Sequence, residues 1–275
     1  MFKKSLLAAA LAMPLAAFAF PTTFNNSTLG GGTDNVTFSQ ISLSGGGSTI
    51  TLSDTDGSGN ISLGDQFTES GLVAGVAFLD MNKNPVAGTD LGQTYELWAV
   101  FDPLVGYVSG AAFGAGLGDY LATFTTPSSV TLYYDTTLGG GFNSATATAI
   151  GMATSPAANS QCEVWQSQNL SGAVQNSGSC VLNFQFDEAG ITAPGVWTAF
   201  GGTDVGNLDN ASLRVDLNID GFDPGFFTYA YDSSGQQIVT INHDGSAEFV
   251  PEPGSLALVG LGMLGLFGVT RRRNS

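Results

Sequence analysis

STITLSDTDGSGNISLGDQFTESGLVAGVAFLD, residues 48–80, sets two runs of strand-forming residues on either side of a stretch built from Asp, Gly, Ser and Asn. Neither flank has a long 3.6-residue apolar period with helix caps. The unit therefore reads as strand, loop, strand. The same pattern recurs along the chain, where β-branched and aromatic runs at 36–43, 49–52, 72–79, 94–101, 130–134, 181–186, 212–219, 226–231 and 237–241 alternate with breaks. Those breaks include Gly45-Gly46-Gly47, Gly139-Gly140-Gly141 and Ser233-Ser234-Gly235, which read as turns between strands. We expect an all-β body, an antiparallel β-sandwich or jelly roll. Residues 151–179, rich in Ala, Ser, Asn and Gln, read as a long loop or insertion.

The loop inside the opening stretch carries the clearest local chemistry. Set against a twelve-residue calcium loop, Asp54, Asp56 and Ser58 fall at positions 1, 3 and 5, with Gly59 at the turn position. Asn60 offers a backbone carbonyl, Ser62 acts directly or through water, and Asp65 closes the set. Calcium prefers several hard oxygens in a flexible cage, which this spacing supplies, so calcium is the one candidate cofactor. The flanks are strands rather than the helices of an EF-hand, and the same residues also suit a solvated β-turn. VDLNIDGFDPG repeats the pattern more weakly with Asp216, Asn218, Asp220, Gly221 and Asp223, and Asp80, Asn82 and Asn84 more weakly still. An ordinary strand running into a turn accounts for VDLNIDGFDPG.

Both ends look like targeting segments. Lys3 and Lys4, an apolar core at 6–17 and Ala17-Phe18-Ala19 make residues 1–19 a signal peptide, cut by signal peptidase after Ala19. At the other end, residues 250–275 hold Pro251-Glu252-Pro253, an apolar run and Arg271, Arg272 and Arg273. A bilayer span needs roughly 17 to 25 apolar residues. Residues 254–270 just reach that length, so we expect a C-terminal transmembrane helix with its arginines on the cytoplasmic side and a transient association with the inner membrane. Residues 20–249 are then the secreted β-rich domain.

Charge separates the ends from the body. The chain has seven Lys and Arg against 23 Asp and Glu, and between Phe20 and Pro253 only Lys83 and Arg214 are basic beside all 23 acids, leaving that stretch at −21. Such a surface repels nucleic-acid phosphates and anionic membranes, attracts cations and leaves neutral sugars as possible partners. Cys162 and Cys180 are the only cysteines. In an exported chain they are expected to form one disulfide, worth roughly 3 kcal/mol in the chain-entropy model.

Little points to catalysis. His243, the sole histidine, lies in Ile241-Asn242-His243-Asp244-Gly245, which reads as a turn. There is no Gly-x-Ser-x-Gly elbow, histidine cluster or phosphate loop, and FGAGLGDY lacks the strand and helix of a dinucleotide site. A pair of carboxylates is compatible with a glycosidase, but nothing selects one pair from 23 acids. Trp98, Trp165 and Trp197 are candidates for a sugar-stacking platform, although Trp98 in YELWAVF reads as core.

The three-part tail resembles the PEP-CTERM sorting signal of Gram-negative bacteria that make exopolysaccharide. That resemblance implies processing by an exosortase near Pro251-Glu252-Pro253 and delivery to the cell surface or extracellular matrix. The body, through residues 54–69, YELWAVF, VTLYYD and VDLNIDGFDPGFF, is similar to flocculation-associated PEP-CTERM proteins of the PepA type. What this implies is a non-enzymatic protein promoting aggregation or biofilm formation with exopolysaccharide. The alternatives are a calcium-dependent carbohydrate-binding module and, behind it, an extracellular hydrolase.

Overall fold

The structure, a computed structural model, describes residues 21–30, 35–59, 61–110, 120–125, 128–154, 160–168, 174–186, 195–199, 202, 204–205, 211–220 and 234–251. They are almost wholly β. In chain order the strands are β1 (Thr22–Asn25), β2 (Asn35–Phe38), β3 (Gln40–Ser53), β4 (Gln66–Leu79), β5 (Glu96–Gly110), β6 (Tyr120–Thr125) and β7 (Ser129–Asp135). There follow β8 (Thr148–Thr154), β9 (Gln161–Gln168), β10 (Val174–Phe186), β11 (Trp197–Ala199), β12 (Ala211–Asp220) and β13 (Gln236–Pro251). A 3-10 turn, Asn26–Leu29, follows β1.

Ten strands form one antiparallel sheet in the order β12-β13-β3-β4-β5-β6-β9-β10-β8-β7, and β11-β1-β2 form a second. The large sheet closes on itself, because residues 177–185 of β10 also pair with residues 212–220 of β12. Closure satisfies the row of amides and carbonyls that an edge strand would leave open.

Two long strands fork, and β7 and β8 form a branch between them. In β5, residues 96–101 pair with β7, whereas residues 105–110 pair with β6. The switch falls at Asp102-Pro103, where proline has no amide to give a ladder. Just beyond it the Ser128 hydroxyl takes over as partner, accepting from the Val105 amide at 2.9 Å. In β10, residues 174–181 pair with β9 and residues 185–186 with β8. Between them the Ser160 hydroxyl accepts from the Asn183 amide at 2.9 Å. Both serines are buried.

The small sheet packs against the inner face of the large one. Phe24 and Trp197 meet at a tilt with centroids 4.9 Å apart, and Phe24 also meets Phe78 and Tyr95 at 5.6 Å. Trp197 contacts Phe249 and donates its indole N–H to the Ile150 carbonyl at 2.8 Å. Full burial of each such ring stabilises the fold by about 1.5–3 kcal/mol.

Several expectations change. The run at 36–43 splits at Ser39 into β2 and β3, which serve different sheets. Residues 151–179 are not an insertion, since they supply the end of β8, all of β9 and much of β10. Their Ser, Asn and Gln content lowers intrinsic strand preference, but the pairing of β9 with β10 overrides it. The run at 226–231, the signal peptide and residues 252–275 lie outside the described residues.

The expected transmembrane helix is corrected, and with it the inner-membrane association that depended on it. Among the described residues no helix is long and apolar enough to cross a membrane. The sequence ground was narrow, because the run only just reaches spanning length and Gly260, Gly262, Gly265 and Gly268 each lower helix propensity by about 1 kcal/mol.

Gly45-Gly46-Gly47 is also not a turn but lies inside β3, where the register with both β4 and β13 shifts. A Cβ on Gly46 would sit 2.2 Å from Val73 Cγ1 and 2.3 Å from the Leu72 carbonyl oxygen, so β4 approaches here only because no side chain intervenes. On Gly47 the nearest atoms would be 4.0 Å away. Gly46→Ala is therefore expected to lose about 2–3 kcal/mol in urea unfolding, while Gly47→Ala changes stability by less than about 1 kcal/mol.

Candidate metal centre

The loop between β3 and β4 brings three distant-looking carboxylates together. Asp54 follows the last residue of β3 and Asp65 precedes the first of β4, so hairpin closure places them side by side. Carboxylate oxygens of Asp54, Asp56 and Asp65 all lie within 4.8 Å of one another. Asp65 is fully buried, Asp54 half-buried and Asp56 exposed.

Backbone amides and hydroxyls hold the three charges in place. Asp54 accepts from the amides of Gly57 and Gly59, each at 2.8 Å, and from that of Ser58 at 3.2 Å. Gly57 and Gly59 have φ of 72° and 76°, a left-handed backbone that turns those amides inward at no Cβ cost. Asp65 accepts from the Thr55 amide at 2.9 Å and the Ser62 amide at 2.7 Å. The loop is tied on both sides: the Asp54 amide reaches the Gly235 carbonyl, and Gly64 and Asp65 exchange bonds with Val108, all at 2.9 Å.

Ser62 links the carboxylates, its hydroxyl lying 2.8 Å from Asp56 Oδ2 and 3.3 Å from Asp65 Oδ2. That hydroxyl, followed by the Ser58 side chain and amide, holds the Asp56 carboxyl down at about 2 against an ordinary 3.8. The depressed value makes these bonds stabilising above the ordinary carboxylate range, and the stabilisation is lost as pH falls toward 2.

Of the six candidate ligands, Asp54, Asp56, Asp65 and Ser62 converge, whereas Ser58 supplies its amide to both Asp54 and Asp56. Asn60 lies outside the described residues. All the converging donors are hard oxygens, as a divalent cation of the calcium or magnesium type requires.

The weaker patterns are spent on structure. Asp216 and Asn218 are alternate residues of β12, and Asp216 pairs with Arg214 at 3.1 Å. Gly221 and Asp223 lie outside the described residues. Asp80 accepts from the amides of Asn82 and Asn84 at 2.8 and 2.9 Å, which closes a tight turn rather than a cation cage. Cys162 and Cys180 stand opposite each other on β9 and β10 and are joined in a disulfide. Trp98 and Trp197 do not form one platform, and the Trp165 side chain lies outside what the structure describes. Trp197 is deep in the core, while Trp98 sits half-buried on the outer face with Tyr133 and Phe142, its neighbours Leu97 and Ala99 pointing inward.

A buried polar cluster escaped the sequence reading. His243 lies within β13, not in a turn, and its Nε2 is 2.6 Å from Glu69 Oε1 and 2.8 Å from Ser48 Oγ. Ser48 donates to the same Glu69 oxygen at 2.6 Å, and all three residues are buried. In a Ser-His-acid triad the serine and the acid engage opposite ring nitrogens. Here both meet Nε2, and Nδ1 has no hydrogen-bond partner among the described residues, so the cluster is not arranged as a triad. The signal was period two: Val239, Ile241 and His243 share one inward face, as do Phe67 and Glu69.

Residues 249–273 match the PEP-CTERM protein-sorting motif. No curated protein and no solved structure matches the chain. The motif supports exosortase-dependent export and sorting of this chain to the surface or matrix, and the match leaves most of the β-body outside it.

Two outcomes test the local chemistry. In Ser62→Ala, the Asp56 carboxyl should titrate measurably closer to 3.8 in a carbon-detected NMR pH series than the native value of about 2. Glu69→Ala should cost about 1–3 kcal/mol of unfolding free energy by stranding the buried Ser48 hydroxyl and His243 ring, with Glu69→Gln retaining a substantial part.

Proposed function

We propose that this chain is an exported, exosortase-sorted, non-enzymatic protein of the cell surface or extracellular matrix that promotes aggregation or biofilm formation together with exopolysaccharide. The observation that carries the reading is the sorting motif at residues 249–273. Cleavage after Ala19 and processing near Pro251-Glu252-Pro253 would release a body that is strongly acidic, closed at its sheet edges and cross-linked once. Such a body suits an oxidising compartment. The likeness of its strand motifs to PepA-type proteins supports the flocculation role.

A second reading is favoured by one specific observation, the convergence of Asp54, Asp56 and Asp65 in a loop of calcium-site spacing. In that reading the body is a calcium-dependent carbohydrate-binding module. The loop's residues would hold the ion, whose part is to offset three clustered charges and stiffen the hairpin.

The tests separate the two. Deleting the gene should reduce floc formation, and a complement lacking residues 251–275 should fail to restore it; unchanged flocs in the deletion strain would remove the aggregation role. Calorimetric titration should give a calcium Kd of about 0.1–1 mM, in the range of extracellular sites. Asp54→Asn with Asp65→Asn should abolish the heat, and a native chain silent at millimolar calcium would remove the metal reading.

A further inference from the structure

We infer that the folded β-body masks the upstream end of the sorting motif, so that the processing enzyme breaks this chain only at or beyond the Pro251–Glu252 bond. This rests on exosortase-dependent processing as read above and gives that processing a boundary set by the fold.

Motif and sheet overlap. The sorting motif begins at Phe249, whereas β13 runs on to Pro251. Phe249, Val250 and Pro251 stand opposite Leu213, Ser212 and Ala211 of β12. Phe249 is 1% exposed, its ring 5.4 Å from that of Trp197 and 6.4 Å from that of Phe38, and Val250 is also buried. Just before them Glu248 is held from both neighbouring strands, accepting from the Gln40 side chain at 2.8 Å and lying 3.9 Å from Arg214 Nε. Prolines at 251 and 253 have no amide with which to extend a ladder, and the strand ends at the motif's own first proline.

A residue that is paired and buried reaches a protease only through local opening of the fold. Opening here would draw the Phe249 ring away from Trp197 and Phe38 and break the ladder to β12, the strand that also closes the ring through β10. A cut before Phe249 or Val250 would strip a core side chain from the mature protein. A cut at Pro251–Glu252 or later removes no residue of the described core. In either case one peptide bond breaks, its acyl carbon passes to water or to an amine or hydroxyl acceptor, and the tail leaves with the new amino group. A chain cut before it folds has no such limit, so the boundary also requires that the body fold first.

The experiment is C-terminal peptide mass spectrometry, on the protein recovered from the surface and medium of the producing strain and on the purified full chain after native digestion with proteinase K. Both are expected to yield bodies that keep Phe249 and Val250. Leu213→Ala leaves the motif itself unaltered and loosens the side chain opposite Phe249, so it should speed proteinase K removal of Phe249 at least tenfold, whereas Leu213→Met should not. Circular dichroism and melting temperature establish that each variant folds, and Leu213→Val, a smaller loss, repeats the test should the alanine variant fail to fold. A strain-processed chain ending at Val250 or earlier, loss of Phe249 from the native chain as fast as from the urea-unfolded chain, or undiminished protection in the folded Leu213 truncations would overturn the inference. The sorting reading fails separately: a tail left whole in the producing strain, with Phe249 protected from proteinase K, sinks exosortase processing and leaves the masking standing, while a strain-cut chain that lacks Phe249 sinks the boundary and leaves sorting standing.

Discussion

Pairing of β10 with β12 is the interaction on which the rest of the structure depends. A sheet of this width would otherwise end in two long edges, each a row of unmet amides and carbonyls open to water or to another chain. Within the closed sheet β5 and β10 each serve three partners, dividing one edge between two of them. A strand that changes partner leaves backbone groups uncovered at the junction. Ser128 and Ser160 cover them with side-chain hydroxyls in the two places where no ladder can. Buried serines are ordinarily a cost, and here the cost is offset by backbone bonds of 2.9 Å.

Closure also limits what can occupy the interior. The aromatic group around Phe24 and Trp197 fills the inner face beside the small sheet. Elsewhere the inner face carries Ser48, Glu69 and His243, which bond to one another through Ser48 Oγ, Glu69 Oε1 and His243 Nε2. Gly46 sits close by in β3, and its missing side chain lets β4 and β3 come together beside that polar group. Packing and polar satisfaction are thus a single problem on β3, β4 and β13.

The acidic loop belongs to the same framework. Because Asp54 and Asp65 directly adjoin β3 and β4, hairpin register decides their separation, and the bonds to Gly235 and Val108 pass that order to neighbouring strands. Legibility in the sequence follows from this dependence. The loop was readable because ligand spacing is local, lying within one hairpin and fixed by Asp and Gly preferences. The Ser48, Glu69 and His243 cluster was not, since its members come from three strands and only register across β3, β4 and β13 makes them neighbours.

Taken alone, the sequence determined the all-β, antiparallel class, the acidic body and the sorting tail, because strand periodicity, charge and targeting segments are each written in consecutive residues. It misjudged Gly45-Gly46-Gly47 as a turn and residues 151–179 as an insertion, since glycine and polar residues carry the same local preferences in a bulged strand as in a loop. Only the tertiary structure decided the ring closure, the forks at Pro103 and Asn183, and the division of residues 36–43 between two sheets. Each depends on which strands lie side by side, a choice made by burial and hydrogen-bond satisfaction summed over the whole chain.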